Sequence, residues 1–163
     1  MNPMQPLLDD DHAAFIQRGI SIIAASGDAA NVPSLDRALG CKVSPDRRSV
    51  TIFLTTASAD RLLADVKRCG RIAVVFSEPP THRTIQLKGD DAAIVPLAAT
   101  DREIVKAHAE AMVEAVASIG NPAGIARAVM TCPASDQLVA VAFTPTAAFV
   151  QTPGPRAGAR LKD

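Results

Sequence analysis

Two groups of residues have types and spacings that suit anion chemistry. Arg37 and Lys42 flank Ala-Leu-Gly-Cys within one predicted strand. Strict alternation puts positions five apart on opposite faces, and a solvated edge strand with two ordinary cations then accounts for both. A bulge at Gly40 would instead turn both toward one site. The second group is Thr55, Thr56 and Ser58, followed by Arg61. It stacks hydroxyls and a guanidinium where a strand ends and a helix begins. Backbone donors and the helix dipole favour a phosphate at such a place, and arginine adds a two-pronged grip. A simple N-cap and turn accounts for the same residues equally well.

Other chemistries lack their residues. No G-x-G-x-x-G follows a strand, and there is no Walker A or G-x-S-x-G sequence. His12, His82 and His108 stand far apart, with no Cys or His at metal-ligand spacing, so no metal site is expected. His108 falls on an apolar helix face, where a core or interface histidine is the simpler reading than a catalytic one. No catalytic residue stands out.

The elements that must position these groups can be read in order. Met1 to Leu8 has two prolines and no pattern, and is expected to be loose. Asp9 to Gln17 suits a short helix with acidic residues in its first turn. Ile20 to Ser26, Pro33 to Ser44 and Val50 to Thr55 read as strands. Ser58 is the expected N-cap of a helix that ends at Gly70. Arg71 to Ser77 is a buried strand. Arg83 to Gly89 and Ala92 to Val95 are two strands, or one bent at Gly89. Thr100 and Glu103 form a capping box for the longest helix, whose apolar face carries Ile104, His108, Met112, Ala115 and Ile119. Pro122 to Met130 suits a further short helix. Leu138 to Phe143 and Ala147 to Gln151 are the last strands, and an irregular tail follows from Thr152. Short strands punctuated by turn signals favour a barrel or sandwich over a parallel sheet.

Composition bounds the rest. The 163 residues make one domain, and 17 Lys plus Arg balance 17 Asp plus Glu. That balance gives no electrostatic reason to expect nucleic acid or an anionic membrane. Cys41, Cys69 and Cys132 form no Cys-x-x-Cys pair, which points to a reduced, cytoplasmic setting. The acidic run Asp9-Asp10-Asp11 is unlike a secretory signal, and no apolar run is long enough to span a bilayer. Trp and Tyr are absent, so a flat cofactor would be held by backbone, aliphatic and charged groups.

Ile20 to Leu97, and more weakly the tail after Leu138, resemble the pyridoxamine 5′-phosphate oxidase-like FMN-binding split barrels. Arg37-Ala-Leu-Gly-Cys-Lys42 is similar to that family's Arg-x-x-x-x-Lys strand beside the flavin, with Lys42 at the lysine near the reactive edge. Phe53-Leu54-Thr55-Thr56 resembles the next strand, and Arg61 falls on the first position of the phosphate clamp. Arg83 to Gly89 looks like the Arg-Gln-x-x-x-x-Gly strand, with Thr84 at the flavin-contacting position. Phe149, Gln151, Arg156 and Arg160 match the spacing of the closing segment. Leu62 stands where the clamp has lysine, Thr84 where it has glutamine, Val150 where the tail has tryptophan, and Gly158 where the oxidase has its substrate-binding histidine.

The resemblance implies a mainly β (α+β) fold: an antiparallel six-stranded split β-barrel with flanking helices. It implies FMN, with a deazaflavin or haem as alternatives, held by Arg37, Lys42, Thr55, Thr56, Ser58, Arg61, Thr84, Arg156 and Arg160. It implies a homodimer with the cofactor at the interface. The departures imply weakened FMN binding and a substrate other than pyridoxamine phosphate. A flavin oxidoreductase, a non-catalytic flavin- or ligand-binding module and a purely structural barrel are the three functions carried forward.

Overall fold

The computed structural model describes residues 5–130 and 137–161; Cys132 and the first four residues of the expected loose N-terminus lie outside them. α1 (Asp10–Ile16) begins at Asp9, whose carboxylate accepts from His12 N at 2.8 Å. β1 (Ser21–Gly27) and β2 (Pro33–Ala38) form a hairpin. Its turn is held by Asp28, which accepts from the N–H groups of Ala30 and Val32, both at 2.9 Å. β3 (Cys41–Val43), β4 (Val50–Thr55), α2 (Asp60–Cys69), β5 (Ile72–Ser77), β6 (Thr84–Gly89) and β7 (Ala93–Val95) follow. Then come α3 (Asp101–Ser118), α4 (Ala123–Val129), β8 (Leu138–Phe143) and β9 (Ala147–Val150).

The strands form two antiparallel sheets, ordered β2-β1-β5-β6-β9 and β3-β4-β8-β7. The class is α+β as expected; where six strands of a split barrel were expected, the described residues carry nine strands in two antiparallel sheets. The reason is that the chain changes sheet where the sequence suggests continuity. Pro33 to Ser44 breaks at Leu39 and Gly40, and β3 joins the other sheet. Gly40 has φ +153°, and a Cβ there would lie 3.4 Å from His108 Cβ, so glycine suits both the backbone and the space. Residues 90–92 and 144–146 make the other strand-to-strand changes, so β8 and β9 do not pair with each other.

The main core lies between the sheets. Ile22, Val74, Phe76, Ile85 and Leu87 meet Val50, Ile52, Leu54, Val141 and Phe143, with Phe15, Leu62 and Val66 from the helices. Leu8, expected in a loose segment, is fully buried there. A second cluster of Leu39, Phe53, Val105, Leu138 and Ala140 lies under α3. β4 therefore buries both faces, which explains its unbroken apolar run.

Both helix starts differ from expectation. Ala59, not Ser58, occupies the N-cap of α2, because the Ser58 hydroxyl is drawn to Asp36. Thr100 is the N-cap of α3 but makes no side-chain capping bond; Asp101 instead accepts from Ala98 N at 2.8 Å. The buried face of α3 is Asp101, Val105, His108, Met112 and Val113, and Ile119 is 48% exposed. This rotation follows from close docking on Gly19, where a Cβ would sit 2.4 Å from Ala111 Cβ. After β9 the tail doubles back: Val150 N donates to Ala159 O (2.8 Å) and Leu161 N to Ala148 O (2.9 Å). No helix among the described residues is long and apolar enough to cross a membrane.

Candidate cofactor face and its rim

Strand register builds the site. Arg37 pairs with Ile23, Ile23 with Val75, Val75 with Gln86, and Gln86 with Phe149. Paired residues share a face, so these five form one row across all five strands, and each is half-buried. A parallel row runs Leu35, Ala25, Ala73, Lys88 and Ala147. On the other side Ser21, Ser77 and Thr84 are partners, with 2.8 Å between the Ser77 and Thr84 hydroxyls. The opposite face of this sheet packs into the main core. The outer face is thus an apolar centre edged by hydroxyls on one side and by Arg37 and Lys88 among its cations. Leu35 is 67% exposed on it.

Phe149 is flanked by two cations, with Lys88 Nζ 5.4 Å and Arg160 Cζ 6.0 Å from its ring centre. Neither cation has a carboxylate partner among the described residues. Thr84 joins the tail to this face: its N–H donates to Thr152 Oγ1 at 2.9 Å, and its carbonyl accepts from Gln151 N at 2.8 Å. Arg156 is exposed in the tail turn beside Val150 and Thr152.

The strand-end group is already committed. Thr55 Oγ1 accepts from Ala57 N at 3.2 Å, and Thr56 N donates to Gln137 O at 2.8 Å. The Ser58 hydroxyl donates to Asp36 Oδ2 at 2.5 Å. Arg61, 60% exposed, lies 3.5 Å from Asp28. The Val32 N–H, opposed by burial and helped by the Ala30 N–H and Arg61, holds the Asp28 carboxyl below the usual carboxylate range. Two carboxylates therefore stand where the sequence suggests a phosphate.

Arg37 and Lys42 reach different parts of α3. Lys42 Nζ pairs with Asp101 Oδ1 at 2.5 Å, at the first turn, and Asp101 is only 1% exposed. Arg37 Nη1 donates to Ser21 Oγ at 3.0 Å, and its side chain lines a pocket with Met112 and Val116 further along the helix. His108 is buried between these positions, and burial, with a smaller push from Arg37, holds its pKa below the ordinary value. Cys41 is buried, donates to Ile16 O at 2.8 Å, and its thiol is pushed up by burial. Asp9, Asp11 and His12 bring ligand atoms within 4.8 Å of one another, but Asp11 pairs with Arg83 and His12 Nδ1 lies 2.7 Å from Asp9.

No protein-family model matches the sequence, and no curated protein matches it at the sequence level. Solved structures do match in shape. HupZ of Group A Streptococcus superposes with TM-score 0.55 at 16% identity, covering 93% of this chain and 99% of that one. A pyridoxamine 5′-phosphate oxidase candidate from Lactobacillus delbrueckii gives 0.54 at 14% identity, covering 92% and 100%. The chain has the pyridoxamine 5′-phosphate oxidase-like fold. An F420 reductase shares this oxidase-like fold, with TM-score 0.51 at 16% identity over 86% and 98% of the chains.

Sequence reasoning missed that Asp36 takes up the Ser58 hydroxyl, Asp28 pairs with Arg61 and Asp101 neutralises Lys42. Asp36 carries a local signal: alternation puts it on the inward face with Ser34 and Ala38, beneath α2. Asp101 carries none, since 59 residues separate it from Lys42.

Proposed function

We propose that this oxidase-like chain binds a flavin on the outer face of the β2-β1-β5-β6-β9 sheet and serves as a flavin-dependent oxidoreductase, with a second subunit closing the face. The observation that carries this reading is the row Arg37, Ile23, Val75, Gln86 and Phe149. An apolar strip bordered by cations without carboxylate partners suits a flat ring that becomes more negative on reduction. The fold shared with an F420 reductase and an oxidase candidate supports the same reading.

The residues present fit the ring end of a flavin better than its phosphate end. Ile23, Val75 and Phe149 offer apolar area, Gln86 an amide, and Arg37 and Lys88 positive charge. At the phosphate end Thr55, Thr56, Ser58 and Arg61 have the right types, but Asp36 and Asp28 occupy Ser58 and Arg61. When bound, the flavin supplies reversible hydride or electron transfer. The protein's part is to hold the ring, exclude water by pairing two faces, and keep Thr84, Arg156 and Arg160 at the rim through the folded-back tail. Lys42, neutralised by Asp101, acts in this scheme as the anchor of α3.

A non-catalytic ligand-binding module is the second reading, favoured by those two carboxylates, which weaken the hold on a phosphate. An absorption spectrum of the purified protein, with mass spectrometry of the released ligand, tests the first reading. A flavin spectrum that bleaches with a reduced nicotinamide cofactor is expected. A flavin spectrum that does not bleach favours the binding module, and a colourless protein that takes up no flavin overturns the flavin reading in either form.

A further inference from the structure

A pocket of about 200 Å³ opens between β2 and the α3–α4 pair. Met112 and Val116 of α3, Ile125 of α4 and Met130 beyond it form its apolar walls; Arg37 and Asn121 are its polar groups. Ile125 is 63% exposed and stands at the surface end. Small-molecule sites have this composition: mostly apolar, with few convergent polar groups.

The Arg37 guanidinium has no ion-pair partner among the described residues. It donates to the neutral Ser21 hydroxyl. The two candidate carboxylates are used elsewhere, Asp36 by Ser58 and Asp101 by Lys42. His108 adds no negative charge. A half-buried guanidinium against apolar walls gains most from an anion that brings its own apolar body. One guanidinium and one amide match a singly charged carboxylate. A dianionic phosphate is best held by more than one cation, and Arg37 is the one cation in the pocket lining among the described residues.

We infer that this pocket binds a small apolar monocarboxylic acid, with the carboxylate on Arg37 and Asn121 and the hydrocarbon among Met112, Val116, Ile125 and Met130. Arg37 is also the end residue of the row across the outer sheet face, so an acid held here lies at the border of the proposed flavin face. Binding of the acid itself does not rest on the flavin reading, and it is measured in protein stripped of cofactor, so the two readings fail separately.

The test is a chemical-shift titration of ¹⁵N-labelled protein with hexanoate, beside hexan-1-ol and hexyl phosphate. Hexanoate is expected to shift amides of β2, α3 and α4 saturably, and to bind at least tenfold more tightly than the alcohol or the phosphate ester. R37M should weaken hexanoate about tenfold or more and leave hexan-1-ol nearly unchanged. K67M, which removes an exposed cation on α2, should change neither. V116F fills the pocket without touching the charge and should also abolish binding, so it carries the test if R37M does not fold. Equal binding of alcohol and acid, tighter binding of the phosphate ester, or hexanoate affinity unchanged in a folded R37M or V116F would overturn the proposal.

Discussion

Asp36 holds the Ser58 hydroxyl with one oxygen and the Arg37 backbone N–H with the other, at 2.5 and 2.7 Å. Any phosphate brought to Ser58 and Arg61 meets this carboxylate, and Asp28 as well. Like charges a few ångströms apart near a surface repel appreciably even with solvent screening. Asp36→Asn keeps the hydrogen-bonding shape and removes the charge. FMN affinity is expected to rise several-fold, while riboflavin, which lacks the phosphate, is held as before. Parallel fluorescence titrations give the ratio, and an equal effect on both ligands would mean that the phosphate lies elsewhere.

At the scale of elements, α3 is the part that the sequence positions least and the structure most. It is fastened at its first turn by Lys42 and Asp101 and in the middle by His108 against Gly40. Lys42→Met leaves the buried Asp101 carboxylate with only the Ala98 N–H. The expected loss is about 1–3 kcal/mol, below the roughly 3–5 kcal/mol of a fully buried pair, because Lys42 is partly exposed. Denaturant melts should show the Lys42→Met, Asp101→Leu double variant recovering part of that loss; an additive result would rule out a direct coupling.

His108 gives the same helix a pH dependence. Its folded pKa lies below the 6.5 of a free histidine because of burial. A neutral His108 thus contributes stability that is complete above 6.5 and is lost as pH falls through the lower folded value. Thermal melts should show the parent losing more between neutral and mildly acidic pH than His108→Leu does. Identical slopes would show that another group sets the dependence.

Much of this layer was readable in the sequence. Val50 to Thr55 declares itself because both faces are apolar, and Gly70 ends α2 in the left-handed conformation, at φ +65°. The site was less readable, for reasons of distance. Ser58 has the composition of an N-cap, but its partner lies 22 residues away. The break at Gly40 was visible as a glycine in a strand; its transfer of the chain to the other sheet depends on which strands lie alongside. The row from Arg37 to Phe149 draws one residue from each of five strands, so it exists only once the register is known.

At the scale of the molecule, a sheet with one face in the core and the other half-buried and apolar is incomplete as a monomer surface. Two copies joined by a two-fold axis would cover Leu35, Ile23 and Val75 on each. Sedimentation at micromolar concentration is expected to give a dimer of the 17.0 kDa chain. Persistence of the 17.0 kDa species alone would leave that face to another partner.

FMN binding at this face is tested most directly by titrating the parent protein and Val75→Glu, which puts a charge in the middle of the row. Fluorescence should show saturable uptake of one FMN per chain by the parent. The variant should lose that uptake while keeping its far-ultraviolet circular dichroism. No uptake by the parent at about 100 µM FMN, the range of a weak site, or undiminished uptake by a folded Val75→Glu, would mean that this face does not hold FMN.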